Sequence, residues 1–169
     1  LEHVINRGQG AALRTGTEFA TRHGYDYIAH FDADGQHRVE DLAKMIETIT
    51  NEELDIVLGS RYLSKETKMP FLKRITLWFA KHFSKRILQL HFTDPQSGLR
   101  VFRADLNQRL DWQADDFMHA TEILGLVAKN NLNYKEVPIK VNYFPQDGRK
   151  QVRPSVTMGW RMLLSKLLN

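Results

Sequence analysis

The chain has 169 residues, of which 42% are hydrophobic and 26% are charged, enough apolar content for one domain with a buried core. The lack of cysteine excludes disulfide frameworks, thiolate chemistry and cysteine-ligated zinc. The formal net charge of +4 suits an anionic partner but does not require one. No apolar run approaches the roughly 18 residues needed to cross a membrane.

The chain opens with a predicted strand, a glycine-rich turn and a helix. Val4 and Ile5 are predicted to close the strand, and residues 6–10 read Asn-Arg-Gly-Gln-Gly. A helix is predicted over residues 11–20, with Gly24 just past its end. Its apolar stripe is predicted at positions 12, 13, 16, 19 and 20. Because such a turn lets backbone N–H groups approach an anion, Gly8 is a candidate phosphate-binding residue, with a plain strand-to-helix turn as the alternative.

The next strand ends in two carboxylates. Residues 27–31 are apolar and aromatic, which predicts a buried strand, and residues 32–37 read Asp-Ala-Asp-Gly-Gln-His. Ligands of open α/β sheets bind beyond the carboxyl ends of the strands, where Asp32 and Asp34 would lie. Carboxylate oxygens bind Mg²⁺ and Mn²⁺, which usually reach a protein with substrate phosphates. The motif predicts a metal–diphosphate site, with a helix-capping turn as the alternative.

A second helix and strand follow. Residues 39–50 are predicted to be helical and residues 54–59 to form a buried strand. Arg61 follows that strand, so its guanidinium could bind phosphate through paired hydrogen bonds; a surface arginine is the alternative. The predicted inner stripe of the helix is Leu42, Met45, Ile46 and Ile49.

Two further segments are predicted to be amphipathic helices. Residues 71–92 carry a helical apolar stripe, basic residues and no acidic residue, with Trp78 and Phe79 among them. This pattern is typical of a helix on an anionic membrane surface, and a core helix with a solvated basic face is the alternative. Residues 155–168 form the second predicted amphipathic helix.

The remaining pattern completes an α/β sandwich. Pro138 suggests an edge position for the last predicted strand, and His119 and Glu122 would lie one turn apart on a helix. The basic loop at 144–154 has the composition of a phosphate-contacting lid, or of a plain solvated loop. The remaining predicted elements are a turn at 93–98, a strand at 99–103, a short helix at 105–111, a helix at 117–130 and a strand at 134–143.

Five segments in order resemble glycosyltransferase family 2, and within it the polyprenol-phosphate branch typified by dolichol-phosphate mannosyltransferase. The resemblance implies a GT-A fold, a Rossmann-like nucleotide half fused to an acceptor half, in a single catalytic domain over residues 1–169. Motifs that open such enzymes are missing, so the chain resembles a domain that lacks about its first 65 residues, a large share of a typical domain. The matching segments are residues 6–12, 31–37, 59–62, 93–102 and 136–139.

The resemblance also implies roles for particular residues. Arg61 and Arg74 would contact phosphate of the donor or of a lipid acceptor. Ser97 and Arg100 would lie in the acceptor-side loop, and residues 71–92 would match the family's interface helices. The family's usual Gly-Glu-Ser-Lys is replaced at 147–150 by Asp-Gly-Arg-Lys. The residues implied to hold Mg²⁺ or Mn²⁺ and the donor diphosphate are Asp32, Asp34 and Gln36.

The implied activity is sugar transfer with inversion from a nucleotide sugar of the GDP-mannose or UDP-glucose type. The acceptor would be a polyprenyl or dolichyl phosphate, or another glycan, at the cytoplasmic face of a membrane. A lipid phosphate is already anionic and needs no general base, whereas a sugar hydroxyl would need one, for which Asp94 and Glu122 are the candidates.

Three other interpretations of the function remain. The Asp32-Ala33-Asp34-Gly35 run resembles the first motif of haloacid-dehalogenase-type phosphatases, although Gln36 replaces a threonine and no later acidic motif follows. The chain could instead be an inactive fragment or a membrane-surface binding module. Nucleic-acid binding is the weakest reading, because the basic residues lie on amphipathic helices and no nucleic-acid-binding motif is present.

Overall fold

A computed structural model describes residues 1–64 and 92–142 of the chain. The predicted helices at 71–92 (apart from Phe92) and 155–168, and the loop at 144–154, lie outside these residues. Among the described helices, none is long and apolar enough to cross a membrane. In chain order the elements are α1 (Gln9–Arg22), β1 (Tyr27–His30), α2 (Val39–Asn51), β2 (Ile56–Ser60), β3 (Arg100–Arg103), a 3₁₀ turn (Ala104–Leu106), α3 (His119–Lys129) and β4 (Tyr134–Pro138).

The described strands form one mixed sheet in the order β1-β3-β2-β4. Strand β3 is antiparallel to both of its neighbours, and β2 and β4 are parallel. It follows that β1, β2 and β4 all point the same way. Their carboxyl ends therefore meet the amino end of β3 at one edge of the sheet, which we call the site edge.

Helices cover both faces of the sheet because side chains alternate along each strand. Every residue of β2 is buried. Val57 packs with Met45 and Ile49 of α2 on one face, whereas Ile56 packs with Ile123 of α3 on the other. Removing both faces from water supplies most of the favourable free energy of folding, and it fixes the strands whose ends carry the polar residues of the site edge.

The end of α1 follows the predicted glycine cap. Gly24 has φ 74°, in the left-handed region that glycine adopts at no steric cost. Its N–H donates to the Thr21 carbonyl at 3.2 Å, and the Tyr25 N–H donates to the Ala20 carbonyl at 3.4 Å. This pair of bonds is the Schellman motif, and it turns the chain into β1.

Several predicted local features are wrong. Val4 and Ile5 form no strand and are 102% and 70% exposed. In α1 the predicted apolar stripe is only partly inward: Leu13 and Ala20 touch the core, but Ala12, Gly16 and Phe19 are exposed. This helix docks through its small residues instead, because Gly10, Ala11 and Thr17 are the buried ones.

Helix α2 and the later elements bring further corrections. Ile46 is 42% exposed, whereas Asp41 is buried and its Oδ2 accepts the Lys140 N–H at 2.8 Å. The predicted helix at 105–111 is a 3₁₀ turn over Ala104–Leu106 followed by hydrogen-bonded turns. Strand β4 ends at Pro138 rather than at residue 143, and it lies at an edge of the described sheet, as its proline predicted.

Candidate active site

The site edge gathers predicted residues from three strands. Asp32 follows β1, Arg61 follows β2, and residues 97–100 lead into β3. These segments are far apart in sequence, and β3 brings them together by pairing between β1 and β2. The edge therefore carries carboxylate and guanidinium groups side by side.

Asp32 is held by neighbours on several sides. Its Oδ1 accepts a hydrogen bond from Gln9 Nε2 at 2.8 Å, and His37 Nε2 lies 3.8 Å from its Oδ2. The interaction with His37 is the largest influence that lowers the pKa of Asp32; the Arg100 charge and the Gln9 hydrogen bond lower it further, and burial opposes them. The carboxylate is consequently ionised at neutral pH.

Asp34 and Gln36 lie in the exposed loop beyond Asp32. Asp34 Oδ1 accepts the Gln36 backbone N–H at 2.9 Å, which closes a local turn. The Gln36 carbonyl accepts the Asn142 N–H at 3.0 Å, and His37 forms an isolated bridge with Val141. The loop is thus tied to the segment that follows β4, and the Asp34 side chain stays exposed.

Arg61 and Asp94 form a bidentate salt bridge at the end of β2. Arg61 Nε and Nη2 donate to Asp94 Oδ2 and Oδ1, both at 2.7 Å, and the Arg61 N–H donates to Oδ2 at 3.0 Å. The Asp94 side chain is only 1% exposed, whereas that of Arg61 is 22% exposed. Asp94, a predicted general base, thus has both oxygens occupied by Arg61.

Glu136 holds the segment that carries Asp94. Its carboxylate accepts the Thr93 N–H at 2.8 Å, the Thr93 hydroxyl at 3.0 Å and the Asp94 N–H at 3.3 Å. The Thr93 hydroxyl also lies 2.6 Å from Ser60 Oγ. Burial is the main reason that the pKa of Glu136 is raised, and the charge of Asp94 raises it further. Glu136 therefore links β4 to the end of β2.

Ser97 and Arg100, predicted on the acceptor side, lie beside Asp32. Arg100 is 1% exposed, and its Nη2 donates to the Ser97 carbonyl at 3.1 Å. Burial lowers its pKa to about 10, and Asp32 opposes that shift. Among the described residues, Arg100 Nη1 and Ser97 Oγ have no hydrogen-bond partner. Arg100 is thus a buried cation that is still mostly protonated at neutral pH.

Gly8, the predicted phosphate-binding residue, packs against backbone. Gly8 has φ 98°, and a Cβ there would overlap the Asp115 carbonyl oxygen. Its N–H donates to Asn6 Oδ1 at 2.9 Å, and the Ala11 N–H donates to the Asp115 carbonyl at 3.2 Å. The structure therefore gives this glycine a packing role at the start of α1.

Glu122 lies in the first turn of α3 and holds the backbone of residues 113 and 114. Its carboxylate oxygens accept the N–H groups of Gln113 and Ala114 at 2.9 and 2.8 Å. The second predicted general base is therefore engaged by backbone. Arg74 lies outside the described residues.

Four residues at this edge have a structural role that the sequence did not assign. Gln9 and His37 contact Asp32, Gly98 packs against its carboxylate, and Glu136 holds residues 93 and 94. Each lies within or next to a segment of the family resemblance, so the segments located them. Their contacts depend on strand pairing, which no local pattern reveals.

Comparison with known proteins identifies the family. The sequence profile of Glycosyl transferase family 2 matches residues 1–111. The chain therefore belongs to glycosyltransferase family 2, which confirms the predicted family and its α/β GT-A fold. Members of this family generally use a divalent metal. The match gives no support to the phosphatase reading.

Similar curated proteins carry polyprenyl-phosphate names, in agreement with the predicted branch. A UDP-N-acetylglucosamine–dolichyl-phosphate N-acetylglucosaminyltransferase of Methanococcus voltae is 38% identical over 147 residues, 85% of this chain and 59% of that protein. An undecaprenyl-phosphate mannosyltransferase of Micrococcus luteus is 31% identical over 118 residues, 66% of this chain and 48% of that protein. A polyprenol monophosphomannose synthase of Mycolicibacterium smegmatis is 27% identical over 146 residues, 81% of this chain and 55% of that protein. The chain thus spans about half to three-fifths of the length of these relatives.

Proposed function

We propose that this chain contributes the catalytic site of a metal-dependent, inverting glycosyltransferase. The donor would be a nucleotide sugar of the GDP-mannose or UDP-glucose type, and the acceptor a polyprenyl or dolichyl phosphate at the cytoplasmic face of a membrane. The observation that carries the proposal is the site edge, where the ionised Asp32 and the exposed Asp34 lie at the same edge as Arg61. The named activities of the relatives support the acceptor class.

The donor set at this edge suits a hard divalent cation. Asp32, Asp34 and Gln36 offer oxygen ligands only, as Mg²⁺ and Mn²⁺ prefer. Across residues 1–64 and 92–142, no three histidine, cysteine or acidic side chains gather closely enough to hold a metal alone. The donor diphosphate would therefore complete the coordination, as is usual for Mg²⁺. When bound, the metal would offset the negative charge that builds up on the leaving diphosphate.

The proposed reaction also assigns roles to Arg61, Asp94 and Glu122. The bond between the anomeric carbon and the donor phosphate breaks, and an oxygen of the acceptor phosphate bonds to that carbon from the opposite face. Arg61 would stabilise a phosphate at the end of β2. Because the acceptor oxygen is already anionic, no proton has to be removed, so Asp94 and Glu122 can serve as positioning groups rather than as bases.

The test measures thermal unfolding with Mn²⁺ and a panel of GDP- and UDP-sugars. A donor at 100 times its Kd adds about 2.7 kcal/mol to the free energy of unfolding, or roughly 5 to 10 °C in Tm for a chain of this size. The shift should need both metal and nucleotide, and it should disappear in Asp34→Ala. The matched control is Asp26→Ala, which removes the same charge from an exposed position at the opposite end of β1.

The same experiment separates the alternatives. If neither Mn²⁺ nor any donor raises Tm, this chain does not bind donor by itself, and the inactive-fragment or binding-module reading takes its place. If Asp26→Ala loses the shift as fully as Asp34→Ala does, the response reflects overall charge rather than a site.

A further inference from the structure

Gly98 lies directly against the carboxylate of Asp32. A Cβ atom at position 98 would overlap Asp32 Oδ2 and lie only 3.2 Å from Asp32 Cγ. The φ angle of Gly98 is outside the left-handed region, so the backbone itself permits alanine there. All three nearest atoms to this Cβ belong to the Asp32 carboxylate group. A side chain is therefore excluded at Gly98 by Asp32 and not by backbone strain.

The turn that carries Gly98 is fixed from both sides. Arg100 donates to the Ser97 carbonyl at 3.1 Å and to the Gly98 carbonyl at 3.4 Å, and this arginine is buried. On the other side, the Leu99 carbonyl accepts the Gly59 N–H of β2 at 2.9 Å. Because the turn is held in this way, it cannot easily retreat from Asp32, and a clash would have to be relieved by the carboxylate.

We infer that Gly98 is a positioning residue for Asp32, and that the bare backbone at this position, held by Arg100, fixes where the carboxylate points. Gln9 and His37 restrict the carboxylate on its other sides. The inference rests on the proposed function, in which Asp32 binds the metal and the donor diphosphate. It gives the segment at 97–100 a role on the metal side of the site, in addition to the acceptor-side role that the family resemblance implies.

The first test is Mn²⁺ affinity, measured by electron paramagnetic resonance on the 169-residue chain with GDP or UDP present, because a diphosphate would complete the coordination. Gly98→Ala should weaken Mn²⁺ binding by about 10- to 100-fold, the usual effect of losing a group that orients a metal ligand. The matched control is Gly16→Ala, since a Cβ there meets nothing within 4 Å; this variant should bind Mn²⁺ as the wild type does. Equal affinity of Gly98→Ala and wild type would overturn the inference.

A metal-free double-mutant cycle keeps the test decisive if Gly98→Ala is unstable. Gly98→Ala should lower Tm in the wild-type background and leave Tm unchanged in Asp32→Ala, because the second change removes the clashing carboxylate. An equal loss in both backgrounds would show that Gly98 serves the fold and would overturn the inference. A wild type that binds no Mn²⁺ even with GDP or UDP present would refute the metal site and this inference with it. A wild type that binds Mn²⁺ and a Gly98→Ala variant of equal affinity would refute the inference alone.

Discussion

At the scale of single residues, the site edge contains a salt bridge that is already formed, between Arg61 and Asp94. Asp94 is almost fully enclosed and contributes two oxygens to Arg61, and Glu136 secures the backbone that carries it. The attraction between the two charges is largely offset by the free-energy cost of removing them from water. Removing one partner, however, leaves a buried charge without compensation.

Asp94→Asn is therefore expected to destabilise the chain. The loss should be about 2 kcal/mol, below the range of about 3 to 5 kcal/mol for a fully buried pair, because Arg61 retains some contact with water. Urea unfolding measures it. Glu52→Gln is the control, since Glu52 pairs with Lys135 on the surface and its loss should cost under about 1 kcal/mol. Equal effects of the two variants would contradict the view that burial gives the Arg61–Asp94 pair its weight.

At the scale of elements, α1 shows how a glycine allows a helix to pack closely against neighbouring backbone. The helix begins against residues 112–116, where the Trp112 Nε1–H donates to the Gly10 carbonyl at 3.1 Å and Arg14 Nη2 donates to Asp115 Oδ1 at 2.6 Å. A Cβ at Gly10 would overlap the Ala114 carbonyl oxygen and lie 2.9 Å from the Asp116 carbonyl oxygen. These are backbone atoms, so they cannot move aside as a side chain can.

Two alanine substitutions in α1 should consequently have opposite signs. Gly16→Ala should raise the free energy of unfolding by about 0.5 to 1 kcal/mol, since it lowers backbone entropy in the unfolded chain and meets open space. Gly10→Ala should lower it by about 1 to 3 kcal/mol through overpacking. Thermal unfolding of both variants checks the pair. If both raise Tm, the close approach of residues 114–116 to α1 is not present in solution.

At the scale of the whole molecule, the sequence predicts individual strands and helix ends, but it does not reveal which strands pair with each other. The apolar run before Asp32 and the run before Arg61 were sufficient to identify β1 and β2, and Gly24 was sufficient to end α1. The insertion of β3 between these two strands is a long-range choice that no local pattern encodes. That insertion brings Gly98 to Asp32, so this contact could not be predicted. The burial of Asp41 was missed for a similar reason, since its carboxylate accepts a hydrogen bond from the distant Lys140 backbone.

His30 and His119 are both buried in the fold. They should make the stability of the whole chain depend on pH. Burial is the main cause that lowers the pKa of both His30 and His119, and Arg100 lowers both further. Asp32 opposes these shifts, as does the bond from His119 Nδ1 to the Asp116 carbonyl at 2.7 Å. The unfolded chain, with histidine pKa values of about 6.5, then binds more protons than the folded one. Stability should be complete above that pH and should fall as pH decreases toward the folded pKa values.

His119→Asn tests this pH dependence at a position where the amide N–H can replace the imidazole N–H toward the Asp116 carbonyl. Urea unfolding between pH 8 and 5 should give a shallower loss of stability in the variant, by at most about 1.4 kcal/mol per pH unit for the one proton removed. Glu136, whose pKa is raised, contributes with the opposite sign, because its share of stability is lost as pH rises through its folded pKa. Since Glu136 is present in both proteins, its contribution cancels in the difference between them. Identical slopes for wild type and variant would mean that His119 titrates in the folded chain as it does in the unfolded one, and that burial beneath the site edge does not keep it neutral.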